Sequence, residues 1–175
     1  NISKEKLENC INSDLANNYG NLCQRVIAFT EKNLDLKIPE KFEFNDNDLK
    51  ILDVFNSNFE KLIDDIDNQN LNSYINFIQD QLFSANKYFN DEAPWEKKKN
   101  IHRLNSILYV SLELIRKLSI MLYPVIPNTS IKVLKIFNID EKKIDFNSIK
   151  NHDLLKTNSK INKISILFKK IDNND

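Results

Sequence analysis

A chain of 175 residues, 41% of them hydrophobic, is long enough to bury one substantial core, so a single domain is expected. Its 25 basic and 25 acidic residues cancel and the pI lies near 6.9, which excludes a global basic field and leaves nucleic-acid binding, if any, to local features. One glycine and four prolines supply too few turns for a many-stranded fold, and the long helical periods below predict an all-α helical bundle of about five helices with an extended C-terminal strap.

The first predicted helix runs from a Ser3 cap to Lys32 or Leu34 and carries NSDLANNYGNLCQR, residues 12 to 25. Asn17, Asn21 and Arg25 recur every fourth residue and span an arc of about 80°, with Asp14 inside it and Asn18 at its edge. Ile11, Leu15, Tyr19, Leu22, Val26 and Phe29 form an apolar stripe on the opposite side. Ala16, Gly20 and Cys23 make a small-residue sector suited to close approach by another helix. Amides and a guanidinium donate and accept in fixed directions, which is the chemistry of reading a base edge. Asn is cheap in a chain with 27 of them, and a solvated face explains two on one helix. Arg is not cheap: Lys outnumbers it 22 to 3, so a planar guanidinium at position 25 implies a geometric need. Gly20 costs a helix about 1 kcal/mol relative to Ala, and close packing or ligand approach accounts for it.

Residues 35 to 45 read as a loop, after which Asn45 or Asn47 caps a second helix bearing Leu52, Phe55, Phe59, Leu62 and Ile66. Asn68 to Asn70 interrupt the pattern. A third helix, ending around Tyr88 to Asn90, turns Leu71, Ile75, Ile78, Leu82 and Ala85 to the core. In the segment DEAPW, Pro94 suits the first turn of the fourth helix and leaves Trp95, the only tryptophan, part-exposed at its entrance. The fourth helix carries Ile101, Leu104, Leu108, Ile115, Leu118 and Leu122 and stops at Tyr123, because Pro124 follows. A fifth, short helix starts at Pro127 with Ile131, Leu134 and Phe137. Residues 140 to 163 are expected as loops with one short helix near 147 to 155, and Ile164 to Asp172 as the strap. In domain terms, 1–139 form the bundle and 140–175 an extension packing back on it.

No catalytic apparatus is visible: there is no phosphate loop, no His or Cys ligand cluster and no nucleophile paired with a base. His102 and His152 stand isolated, Asp64 and Asp65 read as solvated, and no metal site is expected. Cys10 and Cys23 point in different directions on one helix, as reduced thiols of a cytoplasmic protein. No apolar run approaches the ~20 residues of a membrane span. The lysines at 97 to 99 and those of the tail read as solubilising surface. The chain opens on Asn1, as a piece of a longer protein would. A helical binding module remains, with Trp95 as either a core anchor or a stacking platform for an unpaired base.

Residues 12 to 25 resemble the start of the anticodon-binding bundle of methionyl-tRNA synthetases, where an acidic residue, Leu, Ala, Asn and then Gly-Asn-Leu-x-x-Arg recur. NKYFNDEAPWEKK resembles that family's Asn-x-Tyr and Ala-Pro-Trp segment, LIRKLSIMLYPVIPNTSIKVLKIFNI its helix ending in a Pro-x-x-Pro turn, and ILFKKID its closing strap. The four stretches are collinear with the family and span nearly the whole chain. The chain departs from it in carrying Ile166 for a usual Pro, Lys170 for a common Arg and Asn158 for a frequent Gly. The resemblance implies a domain that binds the CAU anticodon loop of tRNA(Met), with Asn17, Asn21 and Arg25 contacting bases and Trp95, positioned by Pro94, stacking on the first of them. It implies no DNA or membrane partner and no cofactor in this chain. The ATP, with magnesium, that joins methionine to the tRNA belongs to a separate catalytic domain of the same polypeptide. The bundles of cysteinyl, isoleucyl, valyl and leucyl synthetases share the architecture, but Gly-Asn-Leu-x-x-Arg together with Ala-Pro-Trp favours methionine. An RNA-free helical protein-interaction module is the reading from a different class.

Overall fold

The computed structural model describes residues 4–41 and 43–164, with side chains from residue 13 onward. Among these residues six α-helices follow one another: α1 Lys4–Leu34, α2 Asp46–Ser57, α3 Phe59–Asp67, α4 Leu71–Glu92, α5 Ile101–Leu122 and α6 Pro127–Ile136. Short 3-10 turns lie at Pro94–Glu96, Glu141–Lys143 and Phe146–Lys150. Among the described residues the only strand-like pairing is an isolated bridge between Lys37 and Lys160. The all-α bundle expected from periodicity is therefore the fold.

The second predicted helix is two. Asn58 ends α2 by giving its side-chain amide to the Val54 carbonyl (2.8 Å) and its backbone N–H to the same acceptor, and α3 restarts from the Asn58 carbonyl. Apolar spacing continues smoothly through this break, so periodicity alone joins the halves. At the other end of α2, Asn45 and Asp48 form a reciprocal capping box.

The fourth predicted helix, α5, is more than the one-stripe helix its sequence suggests. From Ser106 to Leu122 every side chain is buried, so α5 is the axis of the molecule, packed against α1, α2, α4, α6 and the 146–150 turn. Tyr19 of α1 hydrogen-bonds Ser119, and Tyr74 of α4 donates to the Met121 carbonyl. Ile101, assigned to the core stripe, is half-exposed at the start of α5, and Leu71 is likewise exposed at the start of α4. Both lie where their helices first emerge from the bundle. Asp65, expected in solvent beside Asp64, is buried and held by Lys61 (3.2 Å) and the Asn70 amide.

Burial of α5 from Ser106 to Leu122 forces the charges in that stretch to find partners. Arg116 pairs with Glu113 (2.7 Å) and donates to the carbonyls of Ser148 and Asn151. Lys117, fully buried, donates to the Ile149 carbonyl and meets His152 at 3.0 Å. His152, isolated in sequence, is not isolated in space: its other ring nitrogen lies 2.8 Å from Asp53. These contacts fasten residues 146–155, expected as loops with a short helix, to the middle of α5. Farther on, residues 158–161 exchange backbone hydrogen bonds with Leu36 and Ile38. Asn158 takes the left-handed conformation (φ 62°), which Asn tolerates better than other non-glycine residues. Ile164 packs against the core, while the rest of the expected strap lies outside the described residues.

Burial, and then the neighbouring Arg116, push the Lys117 ammonium down to about 7 from its ordinary 10.5, against the pull of Glu113, Asp53 and Asp153. Between those two values the unfolded chain holds a proton that the folded chain has released. This group's contribution therefore rises with pH above about 7 and is flat below it. Urea unfolding from pH 7 to 9.5 should show that upward slope in the parent chain and its loss in Lys117→Met.

Candidate nucleic-acid interface

The polar stripe of α1 emerges where its wheel places it. Leu15, Tyr19, Leu22, Val26 and the small residues Ala16 and Cys23 are buried against α4 and α5, while Asn17, Asn18 and Asn21 are exposed. Arg25 is half-buried because it reaches across to α4. Its guanidinium donates to the Asn86 side-chain oxygen (3.3 Å) and to that of Asn90, and lies 5.1 Å over the ring of Phe89. A guanidinium has five N–H donors, so the two given to α4 leave others for a ligand.

Pro94 does not start the fourth helix; it starts the separate 3-10 turn between α4 and α5, and Asn100 caps α5 instead. The chain leaves α4 through Ala93 in the left-handed region (φ 45°), a conformation that costs a non-glycine residue about 1–2 kcal/mol. Buried Pro94 fixes the next φ. Trp95 then projects 44% exposed, its ring edge-on to Phe89 with centroids 5.9 Å apart. Phe89 is thus in contact with both Arg25 and Trp95. The structure brings Arg25, Pro94 and Trp95 together, a juxtaposition that spacing does not reveal. Asn21 joins them as a neighbour of Arg25, and Asn17 stands one turn before it on the same face.

A recess of about 440 Å³ opens beside this group, lined by Asn18, Asn21, Gln24, Arg25, Phe83 and Asn86. Four carboxamides, one guanidinium, one aromatic ring and no carboxylate line it. Sequence reasoning missed the whole α4 contribution. The signal was present: Phe83, Asn86 and Asn90 are spaced i, i+3, i+7, the spacing of Asn18, Asn21 and Arg25 on α1.

The turn that delivers Trp95 is anchored from below. Arg103 of α5 grips the buried Asp48 carboxylate with both terminal nitrogens (2.8 and 3.0 Å) and Glu92, just before the turn, at 3.0 Å. Tyr88 donates to the same Asp48 (2.6 Å). Burial alone would raise the Asp48 carboxyl, but the bonds from Arg103, Tyr88 and the Asn45 N–H together hold it below its ordinary value. Among the described residues no three metal-ligating side chains cluster.

A model of the family described as the anticodon binding domain of methionyl tRNA ligase matches residues 38–175. The methionine–tRNA ligase of Thermotoga maritima is 34% identical over 176 residues, 99% of this chain and 28% of that protein, so its likeness extends over α1 as well. That of Pyrococcus horikoshii is 30% identical over 163 residues, covering 92% of this chain and 22% of its own. Mycobacterium tuberculosis methionyl-tRNA synthetase, solved in complex with methionyl-adenylate, is similar in structure with a TM-score of 0.82 at 29% identity, over 95% of this chain and 33% of that one. The chain thus spans a third or less of the length of these relatives.

Arg103→Gln leaves the Asp48 charge buried without its partner and should cost about 3–5 kcal/mol of stability. Because the same residue holds Glu92, acrylamide quenching of Trp95 should also rise under conditions where the variant remains folded. Unchanged quenching there would show that the clamp does not position the indole.

Proposed function

The chain belongs to the family of anticodon-binding domains of methionyl tRNA ligases, and from that membership we propose that the exposed face of α1 and α4 reads the CAU anticodon of the tRNA that carries methionine. The observation that carries this reading is the sharing of Phe89 by Arg25 and Trp95. It sets a bidentate donor and a half-exposed indole on one surface, the combination that unpaired bases require: stacking on a flat ring and hydrogen bonds along an edge. In this reading Trp95, oriented by Pro94, stacks on the first anticodon base. Asn17, Asn21 and Arg25 contact base edges, Arg25 exchanging its bonds to Asn86 and Asn90 for bonds to RNA.

The same proposal extends to the longer protein. A separate catalytic domain would join L-methionine to its tRNA with ATP and magnesium in the cytoplasm, and this part, residues 1–139 with 140–175 packed back on it, would supply tRNA recognition without catalysis. No helix among the described residues is long and apolar enough to cross a membrane.

A fluorescence titration of Trp95 at fixed salt tests the reading, because phosphate contacts make every affinity salt-dependent. An anticodon stem-loop bearing CAU should quench saturably and one bearing GAU should not. Arg25→Lys should weaken CAU binding about 5- to 150-fold through loss of the bidentate contact, worth about 1–3 kcal/mol. Equal quenching by both loops would overturn the anticodon assignment, and quenching by neither would favour a protein-interaction module.

A further inference from the structure

Phe83 has no role in the face described so far. It is 72% exposed, more than any other large apolar side chain described, and lies outside the core cluster and the hydrophobic residues packed against it. A single exposed apolar side chain is ordinary on a protein surface, so the exposure of this ring gains meaning only from the polar recess it lines and from what could cover it there. Its surroundings restrict what that is. The other five residues of its recess are Asn18, Asn21, Gln24, Arg25 and Asn86. A protein partner seats apolar side chains in an apolar centre with a polar rim. Here a single ring is framed by four amides and a guanidinium, with no second apolar side chain to build such a centre. A flat heteroaromatic with polar edges fits this frame: its face lies on Phe83 while its edge meets the amides. The absence of a carboxylate from the lining suits a ligand that carries phosphates.

We propose that Phe83 is a second stacking platform, which takes an unpaired base of the same RNA loop a few nucleotides from the base on Trp95. The proposal rests on the anticodon reading above. Phe83 lies six residues before Phe89 on α4, a rise of about 9 Å with a rotation of about 120° between the two side chains. The rise alone corresponds to two to three nucleotides of stacked strand at about 3.4 Å each, and the rotation adds to that span. Seven residues along from Phe83, Asn90 returns within about 20° of the same helix face. A strand laid from Trp95 to Phe83 therefore passes over Arg25 and Asn86, and the two rings become the ends of one track with the hydrogen-bonding groups between them.

The test is a set of affinities for a CAU stem-loop, for a scrambled loop on the same stem, and for the CAU hairpin made abasic at each loop position in turn, at one salt concentration. The proteins are the parent chain, Phe83→Ala, Phe83→Leu, Phe83→Tyr and Trp95→Ala. Because the ring is exposed, the Phe83 variants should melt with the parent. Phe83→Ala and Phe83→Leu should weaken binding about 5- to 150-fold, the range for one base–aromatic stack, and Phe83→Tyr should restore it. One abasic position should make the parent and Phe83→Ala bind alike, and it should differ from the position that silences Trp95→Ala. If Trp95→Ala weakens binding and Phe83→Ala does not, this proposal falls while the anticodon reading stands, and the ring serves some other contact. If Leu restores binding as well as Tyr, or if Phe83→Ala loses the same factor on every abasic loop, stacking is refuted. If CAU and scrambled loops bind alike and neither aromatic matters, the anticodon reading fails and takes this proposal with it.

Discussion

A helix with no face to solvent must be surrounded, and that requirement on α5 organises the molecule. Seventeen consecutive buried positions, from Ser106 to Leu122, need neighbours on every side. Each fully buried Leu or Ile contributes about 1.5–3 kcal/mol, which offsets the ordering of the chain around it. Two serines on α5 return their hydroxyls to its own carbonyls, Ser111 to Ile107 and Ser119 to Ile115. Glu113, Arg116 and Lys117 cannot do so, and they draw the backbone of residues 146–155 over themselves. The long segment after α6 is thus held by charge satisfaction in the interior as much as by apolar contact.

The candidate site is a consequence of the same packing. α1 and α4 bury their tyrosines against α5, which leaves their polar stripes side by side on the outside. Arg25 is the joint between them: two amides and one ring of α4 hold it, and through Phe89 it is coupled to Trp95. The turn carrying Trp95 is in turn fixed by the grip of Arg103 on Asp48 and Glu92. The presentation of the indole therefore depends on α2, α4 and α5 together, although the ring stands on a three-residue turn.

Much of this was legible in the residues, for reasons that differ by element. The wheel of α1 was readable because its three sectors differ in chemistry as well as hydropathy. The C-terminal end of α5 was readable because Pro124 follows it, whereas its start was misplaced at Pro94, because the Asn100 cap stands among other polar residues and Pro94 opens a turn of its own. The burial of its whole circumference from Ser106 to Leu122 was not readable, since charged residues at 113, 116 and 117 resemble a solvated face until the backbone of residues 148–155, more than 30 residues away, closes over them. The break at Asn58 escaped because the side chain of one Asn competes for a helix carbonyl without disturbing the apolar period. The scarcity of arginine carried more than was drawn from it. All three arginines occupy built polar contacts, Arg25 with Asn86 and Asn90, Arg103 with Asp48 and Glu92, Arg116 with Glu113 and the 146–155 backbone. Scarcity marks Arg103 and Arg116 as strongly as it marks Arg25. What the sequence could not supply was the meeting of the α1 stripe with α4, because adjacency of helices distant in sequence is a tertiary fact.

The most direct test of the central claim, that the exposed face of α1 and α4 is the RNA-reading surface, is an NMR titration of the labelled chain with a CAU stem-loop, following side-chain amides and the indole N–H. The account predicts that the largest shifts fall on the amides of Asn17, Asn21, Asn86 and Asn90 and on the Trp95 indole, with the amides of Asn138 and Asn162 unmoved. Shifts centred on Asn138 and Asn162 with an undisturbed indole would place RNA on the opposite end of the chain and contradict it.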